Sequence, residues 1–277
     1  MPMAIDRTRF CLNRMIYPSL DLENFFKLTR DVGLTAVELR NDLPGGTILD
    51  GISPQQVRAL ADDYQVRILT INAVQKFNLG AVLDDVYSDV QAMIRTAGAI
   101  GCQALVLCPN NDPDDGRTPD QCYQDTVAAL KRIGPLLKDA GIKGFVEPFG
   151  FEECSLRSKE TAIQAIRESG EDVYRIVHDT FHHFLGPDEK VFPAETGIVH
   201  ISGVEADIGQ AQFKDDHRIL IGPQDVMHNQ SQIRALEEQG YTGFYSFEPF
   251  SPQVQQMSIT ALSKALDESL ELIQSLA

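Results

Sequence analysis

At 277 residues and 43% hydrophobic content, the chain is long enough to bury a large core, as one α/β barrel or two smaller domains. Lys and Arg number 24 against 40 Asp and Glu, a net charge of −16 with no local basic patch to offset it, which disfavours nucleic acid or an anionic membrane as a partner. Met1–Asn13 lacks an apolar run of signal-peptide length, no segment approaches the ~20 apolar residues of a membrane helix, and the odd set Cys11, Cys102, Cys108, Cys122 and Cys154 has no CxxC spacing, as expected of reduced thiols in a cytoplasmic protein.

Short runs rich in Val, Ile, Leu and Phe alternate with longer amphipathic runs, the pattern of buried strands between surface helices. The first strand is Phe10–Asn13. Asp21 caps a helix through Val32, with Leu22, Phe25, Phe26 and Leu28 as its apolar stripe and Gly33 as its stop. The second strand is Ala36–Arg40, followed by a turn at Gly45-Gly46. Ser53-Pro54 opens the next helix, and the third strand is Val66–Asn72. A helix over Asp84–Ala99 leads to the fourth strand, Ala104–Cys108. A helix over Pro119–Asp139, stopped at Ala140-Gly141, leads to the fifth, Ile142–Glu147. Helix Lys159–Glu168 precedes the sixth strand, Val173–Asp179. A short helix near Pro187–Glu195 precedes the seventh, Ile198–Ser202. Helix Gln224–Gln239 ends at Gly240, the eighth strand is Phe244–Glu248, and a last helix spans Gln253–Leu276. Its stripe of Leu262, Leu266, Leu270 and Ile273 reads as barrel packing rather than a dimer face, which leaves a homo-oligomer open without requiring one.

Eight βα units without a composition break predict a single (β/α)8 TIM barrel over residues 1–277, a fold of about 250 residues. A doubly wound sheet would carry a GxGxxG turn after an early strand, and the chain has none there.

In such a barrel the chemistry sits at the C-terminal ends of the strands. Those ends are Asn13, Arg40, Asn72, Cys108, Glu147, Asp179, Ser202 (with His200 two before it) and Glu248. An unpaired charge at the close of an apolar strand costs several kcal/mol to bury, so Arg40, Glu147, Asp179 and Glu248 need partners. Glu147, Asp179, His200 and Glu248, from the four adjacent strands five to eight, form a candidate metal set of three oxygens and one nitrogen. It suits one divalent ion, Mn²⁺, Zn²⁺, Co²⁺ or Mg²⁺, without choosing among them. Val-Glu-Pro-Phe around Glu147 and Phe-Glu-Pro-Phe around Glu248 are near-repeats. His182, three after Asp179, is placed to bond substrate or a ligand, with His183 as a spare. His178 alternates to the other face and reads as structural. Arg218, in Asp-x-Arg after strand seven, is placed to clamp a substrate oxygen.

Together with Phe10–Asn13, Val37–Arg40, Thr70-Ile71-Asn72-Ala73, Val146–Gly150 with Cys154, Val199–Ser202 and Ser246–Phe250, these residues resemble the xylose-isomerase-like, or endonuclease IV-like, barrel superfamily. Within it they are most similar to the inosose isomerase family, over nearly the whole chain. The resemblance implies that Glu147, Asp179, His200 and Glu248 hold one divalent metal, and that His182 and Arg218 contact a small cyclitol or ketose. Glu153, six after Glu147, matches a glutamate of many ketose epimerases. Arg40, Asn13 and Asn72 are expected to bond ring hydroxyls, with Lys76 a weaker candidate. The implied reaction converts 2-keto-myo-inositol to 1-keto-chiro-inositol in inositol catabolism, by proton transfer through an enediolate with Glu147 or Glu248 as base. A ketose 3-epimerase, hydroxypyruvate isomerase or inosose dehydratase would use the same site. The nuclease branch is disfavoured: all six histidines lie after residue 177, Asp216-x-Arg218 replaces Asp-x-His, and the net charge is −16.

Overall fold

The computed structural model describes residues 5–45, 47–205 and 209–274. Its strands are β1 (Phe10–Asn13), β2 (Ala36–Arg40), β3 (Arg67–Val74), β4 (Ala104–Leu107), β5 (Lys143–Val146), β6 (Tyr174–Asp179), β7 (Thr196–Ile201) and β8 (Phe244–Phe247). All neighbours pair in parallel and the ring closes in sequence order, with Phe10 of β1 opposite Tyr245 of β8. The helices are α1 (Leu22–Asp31), α2 (Pro54–Asp63), α3 (Leu83–Ile100), α4 (Pro119–Ala140), α5 (Lys159–Ser169), α6 (Thr180–Leu185), α7 (Asn229–Glu238), α8 (Pro252–Gln255) and α9 (Ile259–Gln274). The architecture is the (β/α)8 barrel expected from the alternation of strand and helix patterns.

Local chemistry explains most helix ends. Asp21 accepts from Asn24 N–H at the start of α1, and capping boxes at Ser53/Gln56 and Thr118/Gln121 open α2 and α4. Gly141 closes α4 in the left-handed region at φ 68°. Alternation along the strands sorts side chains to two cores. Leu12, Val37, Leu39, Leu105, Val146, Ile176, Val199 and Phe247 pack outward against the helices, including Leu262, Leu266, Leu270 and Ile273 of α9. That stripe is barrel packing. Cys11, Ala36, Val106, Val177 and Ile198, with Phe145 and Phe244, plug the barrel interior. Above this apolar plug the inward residues turn polar, and there the site forms.

Three helix expectations are corrected. No helix covers 187–195. The helix instead starts at the strand end, because the Asp179 carboxylate accepts from Phe181 and His182 N–H and caps α6, while Pro187 and Pro193 break the later stretch. The helix expected from Gln224 starts at Asn229: Asp225 takes the Asn229 N–H at 3.0 Å, and His228 sits at φ 56°. The last helix is two, α8 and α9, because Ser258 restarts the chain by accepting from Ala261 N–H. Gly46, of the expected Gly45-Gly46 turn, and Leu276 lie outside the described residues.

Candidate metal centre

Strands β4, β5, β7 and β8 each stop one residue short of the expected end. Glu147 and Glu248 nonetheless stay tied to the sheet through Glu147 N–H to Leu107 O (3.0 Å) and Glu248 N–H to Ile201 O (2.9 Å). Their side chains therefore leave the barrel rim on a fixed backbone. Glu147, Asp179, His200 and Glu248 converge, each offering one ligand atom within 4.8 Å of the others, and all four are buried. Oxygen and nitrogen ligands at about 2.0–2.2 Å from one ion stand roughly 3–4.4 Å apart, so the set fits a divalent cation with small adjustment.

His200 is the pivot. Its Nδ1 lies 3.0 Å from Glu147 Oε1, 3.2 Å from Glu248 Oε2 and 4.0 Å from Asp179 Oδ2. Its Nε2 lies 3.1 Å from Glu38 Oε2. Burial disfavours the charged ring, but Glu248, Glu38 and Glu147 outweigh it and hold the imidazole well above its usual range. Burial raises the Glu248 carboxyl, and His200, Arg218 and Arg40 more than reverse that, leaving it well below the usual range.

Arg218 is buried, with its guanidinium over the rings of Phe181 (5.0 Å) and Phe250 (4.6 Å). Its Nη2 donates to Asp179 Oδ2 (2.7 Å) and Glu248 Oε2 (2.9 Å), its Nη1 to Asp215 (3.2 Å), and its Nε to Ser202 Oγ (3.0 Å). Arg40 donates to Glu248 Oε1 at 2.7 Å and pairs with both oxygens of Asp42. The buried centre thus sets the carboxylates Glu38, Glu147, Asp179 and Glu248 against the guanidiniums Arg40 and Arg218. With a neutral imidazole, that leaves two negative charges, the complement of one divalent ion.

The other expected residues fall in distinct places. Asn13 donates to Glu38 Oε1 (3.2 Å) and Glu248 Oε1 (3.0 Å), and Asn72 donates to Glu38 Oε2 (3.0 Å), so both turn their amides into the protein. His182 accepts the Gly150 N–H on Nδ1 at 3.2 Å, which puts its proton on Nε2, and its ring stacks on Phe149 with centroids 4.5 Å apart. Glu153 is exposed on the wall of a cleft of about 880 Å³, with Lys214, Asp215 and Asp216. Lys76 is exposed. His178 faces out of the barrel, bonded to Gln232 (3.1 Å) and Lys159 Nζ (3.2 Å), and His183 meets the same ammonium at 2.6 Å.

Glu38 escapes a reading of strand ends alone. It is fully buried in β2, two residues before Arg40 and therefore on the same inward face. Its signal is an acid inside the otherwise apolar run Ala-Val-Glu-Leu. The aromatic pair packed on Arg218 carries no comparable local mark.

The sequence profile of the xylose isomerase-like TIM barrel family matches residues 26–276. A curated inosose isomerase of Halalkalibacterium halodurans is 25% identical over 216 residues, 75% of this chain and 76% of that protein. The crystal structure of a xylose isomerase domain containing protein from Salmonella typhimurium is 39% identical, with a TM-score of 0.91 over 98% of this chain and 99% of that one. The zinc-bound IolI protein superposes with a TM-score of 0.88 over 97% and 99%, at 19% identity, a likeness of fold. Among the described residues no helix is long and apolar enough to cross a membrane.

Proposed function

We propose that this chain, which belongs to the xylose isomerase-like TIM barrel family, is a metal-dependent isomerase that moves the ketone of an inosose by one carbon, taking 2-keto-myo-inositol to 1-keto-chiro-inositol. The observation that carries the reading is the convergence of Glu147, Asp179, His200 and Glu248 at one buried point. The curated relative named inosose isomerase supports the substrate class.

In this reading those four residues hold the ion, His200 through Nδ1. When bound, a divalent ion supplies a Lewis acid that acidifies the proton beside a ketone. The two glutamates then differ. Glu248 is bonded by both guanidiniums and faces the imidazole, whereas Glu147 meets His200 and, through Oε2, the Cys108 thiol at 3.6 Å. Glu147 is therefore the better placed to take the proton and to hand it back at the neighbouring carbon, while the ionised Glu248 would serve as a ligand to the ion. The hydroxyl proton passes between the two substrate oxygens, so the ketone moves without net oxidation. Arg218 supports negative charge on the enediolate, and the Nε2–H of His182 donates to a substrate oxygen. Arg40 and Asn13 hold Glu248 Oε1, which assigns them to orienting that carboxylate. A ketose 3-epimerase is the second reading, favoured by Glu153 on the cleft wall.

The test is product NMR with 2-keto-myo-inositol and a panel of ketoses, using protein stripped with EDTA and reloaded with Mn²⁺, Co²⁺, Zn²⁺ or Mg²⁺. Metal-restored conversion of the inosose, with solvent deuterium entering the product, is expected. Turnover untouched by stripping, or conversion of ketoses alone, would overturn the metal or the substrate assignment respectively.

A further inference from the structure

We infer that Glu38 is a positioning residue for the metal centre, which locks His200 in the tautomer and ring rotation that present Nδ1 to Glu147, Asp179 and Glu248. The inference rests on the reading that those residues hold a divalent ion.

Glu38 is fully buried and lies outside the four-residue ligand cluster. Five donors meet its two oxygens. Asn13 (3.2 Å) and the Ser246 hydroxyl reach Oε1, while Thr70 (2.5 Å), Asn72 (3.0 Å) and His200 Nε2 (3.1 Å) reach Oε2. Four of the donors are neutral groups on β1, β3 and β8, and they hold the carboxylate still. The fifth is the ring whose opposite nitrogen faces the ligand carboxylates. An imidazole ligates only through an unprotonated nitrogen, so ligation through Nδ1 requires the proton on Nε2. A fixed acceptor at Nε2 enforces that state and makes the ring a stronger donor to the ion. A carboxylate that only filled the core would satisfy Thr70, Asn72 and Ser246 equally well, with no consequence for metal affinity.

The experiment compares wild type with Glu38→Gln, which keeps shape and an acceptor but removes the charge. Zn²⁺ and Mn²⁺ affinities are measured by competition with a chelator, and far-UV circular dichroism of the metal-free proteins checks folding. The expected result is 10–100-fold weaker metal binding in the folded variant. Unchanged affinity overturns the inference. A wild type that binds no metal overturns the proposed function itself, so the two failures read out in different proteins. If the variant does not fold, histidine-selective ¹⁵N NMR of metal-loaded wild type decides. A protonated, strongly hydrogen-bonded Nε2 on His200 is expected, and an Nε2 without a proton refutes the proposal.

Discussion

Lys159 opens α5 with its ammonium sealed behind β6, 4% exposed. Among the described residues its Nζ meets only imidazoles within hydrogen-bond reach, His183 Nδ1 at 2.6 Å and His178 Nδ1 at 3.2 Å; Asp188, from the loop after α6, and Asp179 act at longer range. Burial, partly offset by Asp188 and Asp179, pushes the amine down to about 7 from 10.5. A base with a lowered folded-state pKa destabilises fully below that value, and the penalty fades as pH rises to the unfolded value. Between pH 7 and 10.5 the unfolded chain binds the extra proton, so stability climbs with pH. At 1.36 kcal/mol per unit, the change expected from this one group between pH 7 and 9.5 is about 3 kcal/mol. Lys159→Met removes it. The variant costs something everywhere, since both imidazoles lose a donor, but that cost is nearly flat in this window because burial keeps both rings neutral, His183 down to about 4. The measurement is urea unfolding by far-UV circular dichroism, the chain having no tryptophan. The gap between variant and wild type should shift by about 3 kcal/mol from pH 7 to 9.5, on the order of 1 M urea in midpoint. A pH-independent gap would mean that water reaches Nζ and that the amine titrates normally.

Glu248→Gln should cut turnover by about 10²–10⁴-fold with the circular dichroism spectrum intact, because Arg40 keeps Asp42 and Arg218 keeps Asp179 and Asp215; a wild-type rate would remove Glu248 from the chemistry. Gly150→Ala would place a Cβ 2.5 Å from His182 O and 2.6 Å from Leu185 Cβ. The α6 backbone cannot yield, so a loss of about 1–3 kcal/mol in thermal unfolding and a lower kcat/KM through a displaced His182 are expected; a variant with wild-type melting and kinetics would show that this approach is slack.

The four candidate ligands were legible because each is a local anomaly, an acid or imidazole at the close of an apolar strand, and the barrel brings such ends together by construction. Arg40 stands out in the sequence as a charged strand end in need of a partner, but the partner itself does not. It bonds Glu248, 208 positions away, and nothing near Arg40 in the chain announces that pairing.

What the sequence by itself determined is what depends on near neighbours: strands from apolar runs, helix starts at Asp21, Ser53 and Pro119, and the residue types at the rim. Where a single side chain overrode the local pattern, as when Asp179 started α6 at the strand end, the boundary was misread. Tertiary structure alone decided the wiring. Glu38 meets donors from β1, β3, β7 and β8, as far as 208 residues off, and Phe181 of α6 and Phe250 after β8 both pack on Arg218. A buried charge is stabilised by whichever groups surround it in space, and in a closed barrel those come from strands that are remote in the chain.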